Sequence, residues 1–280
     1  MITILDGGLG TELAGHGLDT ETALWSTVAL LDAPGRETLR RVHRDYLEAG
    51  ADVLTANTFR TNRRALERGG VADRFVALVE AAVAAARAAR DDSGRAAVRI
   101  AGSMAPLEDC YRPDRAPPVE VARREHAEHA KALAGAGCDL LLVETANAVP
   151  EGLAAVEAAL ATGLPVWISA MPLPTLDLVT LFARAVAAGA SATLLNCAPA
   201  DVIDAELPAA AYAGVGFGAY AHMGPIDPAS GFPPAPVLAP TQYRARADAW
   251  VAHGATIIGG CCGTTPAHIA ALAALKPREA

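Results

Sequence analysis

Short apolar or β-branched runs alternate with longer Ala-rich stretches of helical character along the whole chain. The runs predict strands at 2–6, 52–57, 98–102, 139–144, 165–170, 192–196, 214–219 and 255–259. The stretches between them predict helices at 36–49, 73–90, 119–135, 150–162, 178–188, 201–211 and 243–253, with a last one at 266–275. Strands this short and this continuously apolar are buried on both faces, as in a parallel sheet. Strict β–α alternation points the same way. Eight such units in one chain predict a single α/β domain over 1–280, a (β/α)8 TIM barrel, with an open doubly wound sheet as the alternative.

A repeated spacing sets the register. The helices before strands 2, 4, 6 and 8 end at Gly50, Gly137, Gly189 and Gly254, and glycine suits a left-handed helix C-cap. Seven residues beyond each glycine stand Asn57, Glu144, Asn196 and Cys261. Equal distance from a cap puts these four at one height, at the C-terminal ends of their strands. Asp6, closing strand 1, falls on the same rim. In a barrel that rim is where active sites are built.

Composition narrows the class. Of 280 residues 52% are hydrophobic and 19% charged, enough for a large core and too apolar for disorder. A formal net charge of −8 argues against a nucleic-acid partner, which needs clustered Lys and Arg. The longest stretch free of both charged residues and histidine, 158–176, is broken by Gly163, Pro165, Pro172 and Pro174, so no membrane span is expected. The first residues lack a basic segment and predict no signal peptide. Five cysteines, two of them adjacent, do not form a secreted disulfide framework; they predict a cytoplasmic protein with thiols put to other use.

Those thiols are the strongest chemical feature. Cys261 and Cys262 sit on the glycine-rich turn Gly259-Gly260-Cys261-Cys262-Gly263, where two thiolates can face one ion. Cys197 ends strand 6, two strands away around a barrel. Three converging thiolates suit Zn²⁺, and three protein ligands leave one position open, as in catalytic sites. The alternative is three buried cysteines acting as small hydrophobes. Cys138 starts strand 4 at the opposite end and is expected to pack in the core. Cys110 lies in the rim loop after strand 3.

Asp6-Gly7-Gly8-Leu9-Gly10 is a tight turn whose amides can hold a carboxylate. It has neither a dinucleotide fingerprint nor a P-loop. Glu144 closes an apolar strand, so its carboxylate must be paired or hydrated. Asp6 and Glu144 together can grip an ammonium group; the alternative is a rim salt bridge to Lys or Arg. His126 and His129, among Arg and Glu on one helix, are expected on a solvated face. His222 follows strand 7 on the rim, with a ligand contact as one option. The Asp-x-His-x-x-Gly signature of cobalamin binding is absent.

Taken together, Asp6-Gly-Gly-Leu-Gly-Thr-Glu12, Leu24-Trp25-Ser26, the 49–59 segment ending Asn57-Thr58-Phe59, Val143-Glu144-Thr145, Asn196-Cys197 and Gly259–Pro266 resemble the zinc-dependent homocysteine S-methyltransferase family. The resemblance runs from residue 4 to about residue 270. It implies a (β/α)8 barrel, with zinc held by Cys197, Cys261 and Cys262. It places the amino acid at Asp6, Gly7, Gly8 and Glu144, with Asn57 and Thr58 beside it. It implies methyl transfer to the homocysteine thiolate, from S-methylmethionine or S-adenosylmethionine, to give methionine. Trp25 can face a cationic donor by cation–π attraction. The donor side departs from the pattern: Gly263 stands where the S-methylmethionine-using branch carries Arg, and Tyr220-Ala221-His222 replaces its Asn-containing segment. A betaine-type donor, a methyl-carrying corrinoid protein in trans, or a different thiol acceptor is the alternative. A structural or sensory metal site is the third reading.

Overall fold

The structure, a computed structural model, describes residues 2–276, so residues 1 and 277–280 of the expected domain lie outside the described residues. Eight parallel strands form one sheet: β1 (Thr3–Ile4), β2 (Val53–Thr55), β3 (Arg99–Met104), β4 (Leu140–Ala146), β5 (Val166–Ala170), β6 (Ala192–Asn196), β7 (Gly216–Tyr220) and β8 (Ile257–Ile258). Neighbours run β1-β8-β7-β6-β5-β4-β3-β2. The ends of that series meet through a parallel bridge, Leu5 to Val53. The Asp52 amide donates to Ile4 O (2.7 Å) and the Asp6 amide to Val53 O (3.1 Å). The sheet is therefore a closed barrel, not an open doubly wound sheet.

Ten helices surround it among the described residues: α1 (Leu9–Gly15), α2 (Ala33–Glu48), α3 (Arg63–Arg68), α4 (Phe75–Asp92), α5 (Val119–Ala136), α6 (Val149–Leu160), α7 (Leu178–Ala188), α8 (Ala200–Ala211), α9 (Pro240–Ala252) and α10 (Pro266–Ala273). The sequence pattern passes over α1, α3 and a 3₁₀ turn at Trp25–Leu30, because each is too short to show a helical period. The capping glycines behave as their chemistry requires. Gly50, Gly137, Gly189 and Gly254 have φ of 102°, 90°, 126° and 98°, a region that side chains with a Cβ rarely enter. No described helix is long and apolar enough to cross a membrane.

Two apolar layers hold the barrel. The outer one lies between strands and helices, where Tyr46, Phe182, Tyr243 and Trp250 are all but fully buried. The inner one fills the barrel with Leu5, Val53, Ala101, Leu142, Leu194 and Ile257. Side chains alternate faces along a strand, so the next inward position on each is two residues further on. From Val53, Ala101, Leu142 and Leu194 that step arrives at Thr55, Ser103, Glu144 and Asn196. The apolar plug thus ends one layer below the rim, and a polar layer begins directly above it.

One expectation is corrected here. His126 and His129 are not on a solvated face; each is 1% exposed. Their Arg and Glu neighbours lie on the outer side of α5, while the two rings turn inward. His126 Nε2 lies 3.3 Å from Glu151 Oε1 on α6, and His129 Nε2 lies 3.0 Å from Thr61 Oγ1. Burial pulls the His129 pKa down to about 3, so that ring stays neutral. Cys138 is buried at the foot of β4, its sulfur close against Gly102.

Candidate active site

The C-terminal mouth of the barrel opens into a cavity of about 700 Å³. Asp6, Gly7, Gly8, Trp25, Asn57, Glu144, Cys197, Cys261 and Cys262 all line it, as does Cys110. Thr58 does not. It is fully buried beneath the wall, where its Oγ1 accepts from the Ser103 amide (2.9 Å) and donates to Ser103 O (2.9 Å), tying the β2 loop to β3. Asn57 donates through Nδ2 to Ser26 O (2.8 Å), and its Oδ1 has no protein partner.

Asp6 and Glu144 are the two carboxylates of the floor. Asp6 accepts from the Thr55 amide (2.7 Å) and from Thr55 Oγ1 (2.9 Å). Glu144 accepts from Ser103 Oγ and from the Tyr220 hydroxyl (3.2 Å). Neither forms a salt bridge with a described Lys or Arg, so the rim ion pair open to the sequence is not formed. Burial raises both pKa values to about 7, against the pull of these hydrogen bonds, and the charge of Glu144 raises Asp6 further. Two buried acids side by side without a cation form a ready-made seat for one. The sequence pattern singles out neither Thr55 nor Ser103, although the two-residue step along each strand finds both.

Of the two turn amides offered to a carboxylate, that of Gly8 is already committed, donating to Thr264 Oγ1 (3.0 Å). Trp25 enters the wall with a left-handed φ of 47° and meets Phe59 edge-on at 5.4 Å. A Cβ on Gly10 would lie 2.2 Å from its ring, so glycine there is what admits the indole.

The thiols gather beside this floor. Cys197 also has a left-handed φ, 57°, and is 6% exposed. Beneath it, Asn196 Oδ1 accepts from Ser169 Oγ (2.7 Å) and the Thr145 amide (3.2 Å), while Nδ2 donates to Thr145 Oγ1 (2.8 Å). Hydrogen bonds from Cys197 and Cys261 hold Cys262 well below the ordinary thiol pKa, and contacts with Cys197 and Cys262 push Cys261 well above it. The three thiols therefore interact closely enough to lose their protons as one group. All five cysteines are free.

The donor atoms of Cys197, His222 and Cys262 lie within 4.8 Å of one another, a group able to hold a metal ion. The Tyr111 hydroxyl is 3.8 Å from Cys197 Sγ. A donor set of thiolates and an imidazole fits a soft or borderline cation rather than Mg²⁺ or Ca²⁺.

A thiol- and imidazole-bearing group able to hold a metal ion, beside unpaired carboxylates at the catalytic end of a (β/α)8 barrel, defines a barrel enzyme. Comparison with known proteins names the family. The homocysteine S-methyltransferase family model matches residues 3–275, and the chain belongs to that family. It is 32% identical to the homocysteine S-methyltransferase of Escherichia coli K12, over 98% of this chain and 94% of that protein. A methionine synthase of Mycobacterium tuberculosis is 30% identical over 98% of this chain, which covers 24% of that longer protein. The solved metallated form of the homocysteine methyltransferase MmuM from Escherichia coli superposes with a TM-score of 0.81 at 28% identity, covering 98% of this chain and 96% of that one.

Proposed function

We propose that this chain, a homocysteine S-methyltransferase, carries a methyl group from a small sulfonium donor, S-methylmethionine or S-adenosylmethionine, to the sulfur of homocysteine, giving methionine. The observation that carries the reading is the unpaired, buried Asp6–Glu144 couple within one cavity of a three-thiol cluster. An amino acid with a thiol side chain is the ligand that uses both. Its ammonium neutralises the two carboxylates, and its carboxylate faces the turn at Gly7 and Gly8. Asn57, with an unpartnered Oδ1, adds a contact to the same amino acid. Thr58 acts from beneath, by holding the Asn57 loop to β3.

A free alkyl thiol with a pKa of about 8.5 is only about 3% ionised at pH 7. We assign the metal as zinc, held by Cys197, Cys261 and Cys262; when bound it supplies a deprotonated, nucleophilic homocysteine sulfur at neutral pH. The chain's own residues do the remainder. Asp6 and Glu144 fix the amino acid so that its sulfur reaches the thiol cluster. The Trp25 face lies along the approach of a cationic methyl group. A sulfur–methyl bond forms on homocysteine as the methyl–sulfonium bond of the donor breaks. The donor departs as a neutral thioether, so no acid is required to protonate it. Free thiols throughout suit a reducing cytoplasm.

Zinc-loaded protein given homocysteine and S-methylmethionine is expected to form methionine well above a no-enzyme control. No turnover with zinc bound would move the search to other donors and thiols. A corrinoid-carried methyl is the second reading, favoured by the match to a methionine synthase, and a donor panel separates the two.

The pH dependence follows from the two acids. Their pKa values stand near 7 in the free site, raised by burial, and the ammonium binds only the ionised pair. The KM for homocysteine is therefore expected to rise steeply as pH falls through 7, approaching tenfold per unit or more. Above about pH 8 it levels off. A homocysteine KM that is flat from pH 8 to 6 contradicts the assignment of these carboxylates.

A further inference from the structure

Apart from the floor carboxylates and the thiols, the cavity wall carries a cation with no anion of its own. Arg60, in the loop after β2, lines the cavity and is partly buried. Arg68 and Arg115 also line the mouth, but both are exposed, and Arg68 is paired with Glu108. Arg60 forms no ion pair among the described residues. Its Nη1 donates to the Glu108 carbonyl (3.0 Å), which engages one of the five N–H groups of the guanidinium. The Glu108 carboxylate is held instead by Arg64 (3.0 Å) and Arg68. Arg60 is thus anchored by a neutral group, with its charge and most of its donors left over.

Its neighbours aim it. The Arg60 guanidinium lies over the Phe59 ring, with Cζ 5.3 Å from the centroid, and Phe59 meets Trp25 edge-on. The ring contact fixes the guanidinium plane and leaves an N–H edge for a ligand; that edge binds a carboxylate through two parallel hydrogen bonds. Indole, phenyl and guanidinium form one row along the wall. One end attracts a cation and the other an anion. The Arg60 charge is felt at the Cys110 thiol, as is that of Cys197, so the guanidinium stands on the thiol side of the mouth.

An unpaired arginine works against a cationic methyl donor. A sulfonium brought to the Trp25 face meets it as a like charge. A donor that carries a carboxylate removes the repulsion and adds an attraction, whereas one that lacks it keeps the repulsion.

We propose that Arg60 binds the carboxylate of the methyl donor, so that the enzyme takes sulfonium compounds bearing a carboxylate and rejects those without one. The inference rests on the sulfonium-donor reading above. The donor's cationic centre faces Trp25, its carboxylate reaches along the row to Arg60, and its methyl group points toward the thiols.

The experiment pairs S-methylmethionine with its decarboxylated analogue, (3-aminopropyl)dimethylsulfonium, which keeps the sulfonium and the ammonium and lacks only the carboxylate. Zinc-loaded wild-type protein at saturating homocysteine is expected to prefer S-methylmethionine by about 10- to 100-fold in kcat/KM, chiefly through the donor KM. Arg60→Gln is expected to lose most of that preference, and Arg60→Lys to keep part of it. The preference is a ratio on one preparation, so an unfolded fraction does not mimic its loss. A preference that survives Arg60→Gln, or is absent from the wild type, overturns the assignment and leaves the methyl-transfer reading standing. A change confined to the homocysteine KM also overturns it, and moves the guanidinium to the acceptor. If neither donor is turned over, calorimetric titration of each onto the zinc-loaded protein with homocysteine decides. Binding of S-methylmethionine that Arg60→Gln abolishes supports the carboxylate site and overturns transfer from sulfonium donors. No binding of S-methylmethionine to the wild type overturns both.

Discussion

Cys261→Ala protein is expected to lose its zinc and its methionine-forming activity together, while keeping the far-UV spectrum of the intact barrel. The sulfur removed interacts with those of both Cys197 and Cys262, so its loss leaves two thiolates where the proposed site has three. Structural zinc sites are worth about 10–16 kcal/mol over four ligands, so one thiolate accounts for roughly 3 kcal/mol or more, at least about a hundredfold in affinity. The fold has little reason to follow. Cys261 is a small, half-buried side chain on a turn, and truncating it costs on the order of 1 kcal/mol. Metal content by atomic emission and a turnover assay on the same preparation decide the matter. Stoichiometric zinc with full activity removes Cys261 from the site.

Glu144→Gln is expected to move two quantities in opposite directions. The KM for homocysteine rises on the order of a hundredfold or more, because one of two buried charges facing the ammonium is gone. Thermal stability at pH 8 rises. Burial holds the Glu144 pKa at about 7 against an ordinary 4.5, so ionising it in the folded state works against folding. That penalty is absent below about pH 4.5, grows as pH rises toward 7 and is constant above. It is worth up to about 3 kcal/mol, which corresponds to several degrees in Tm for a chain of this size. Hydrogen bonds from Ser103 and Tyr220 persist in part with the amide. The gain is expected to vanish at pH 4.5. Calorimetry at the two pH values tests it, and a variant less stable than wild type at pH 8 contradicts the origin given for the shifted pKa.

Much of this was legible beforehand. The seven-residue step from a capping glycine carried Asn57, Glu144, Asn196 and Cys261 to one wall, because cap, strand and rim repeat with the same length in each unit. Cys197, Cys261 and Cys262 all line that cavity, but the donor atoms gathered within 4.8 Å of one another are those of Cys197, His222 and Cys262. The failures have a common cause. Thr58, next to Asn57, does not share its place on the cavity wall, because neighbouring residues leaving a strand point to different sides. The charged neighbours of His126 and His129 along α5 suggest a solvated face, while the partners that accept their burial, Glu151 and Thr61, come from other elements. Likewise no local pattern discloses that Thr55 holds Asp6. Pairings across a barrel are properties of its closure and are written nowhere in a single segment.

That closure has its own lesson in the join between β1 and β2. Every other pair of neighbouring strands is held by a ladder, whereas this one meets at a single bridge. Side chains reinforce it from both ends. Asp52 accepts the Ile4 amide (2.9 Å) below, and Asp6 accepts the Thr55 amide above. The upper fastener is the same carboxylate assigned to the substrate's ammonium. Whatever draws on Asp6 therefore also draws on the seam of the barrel. A ligand that fixes this carboxylate as an anion tightens the join, so the empty enzyme is the looser hoop and the loaded one the firmer.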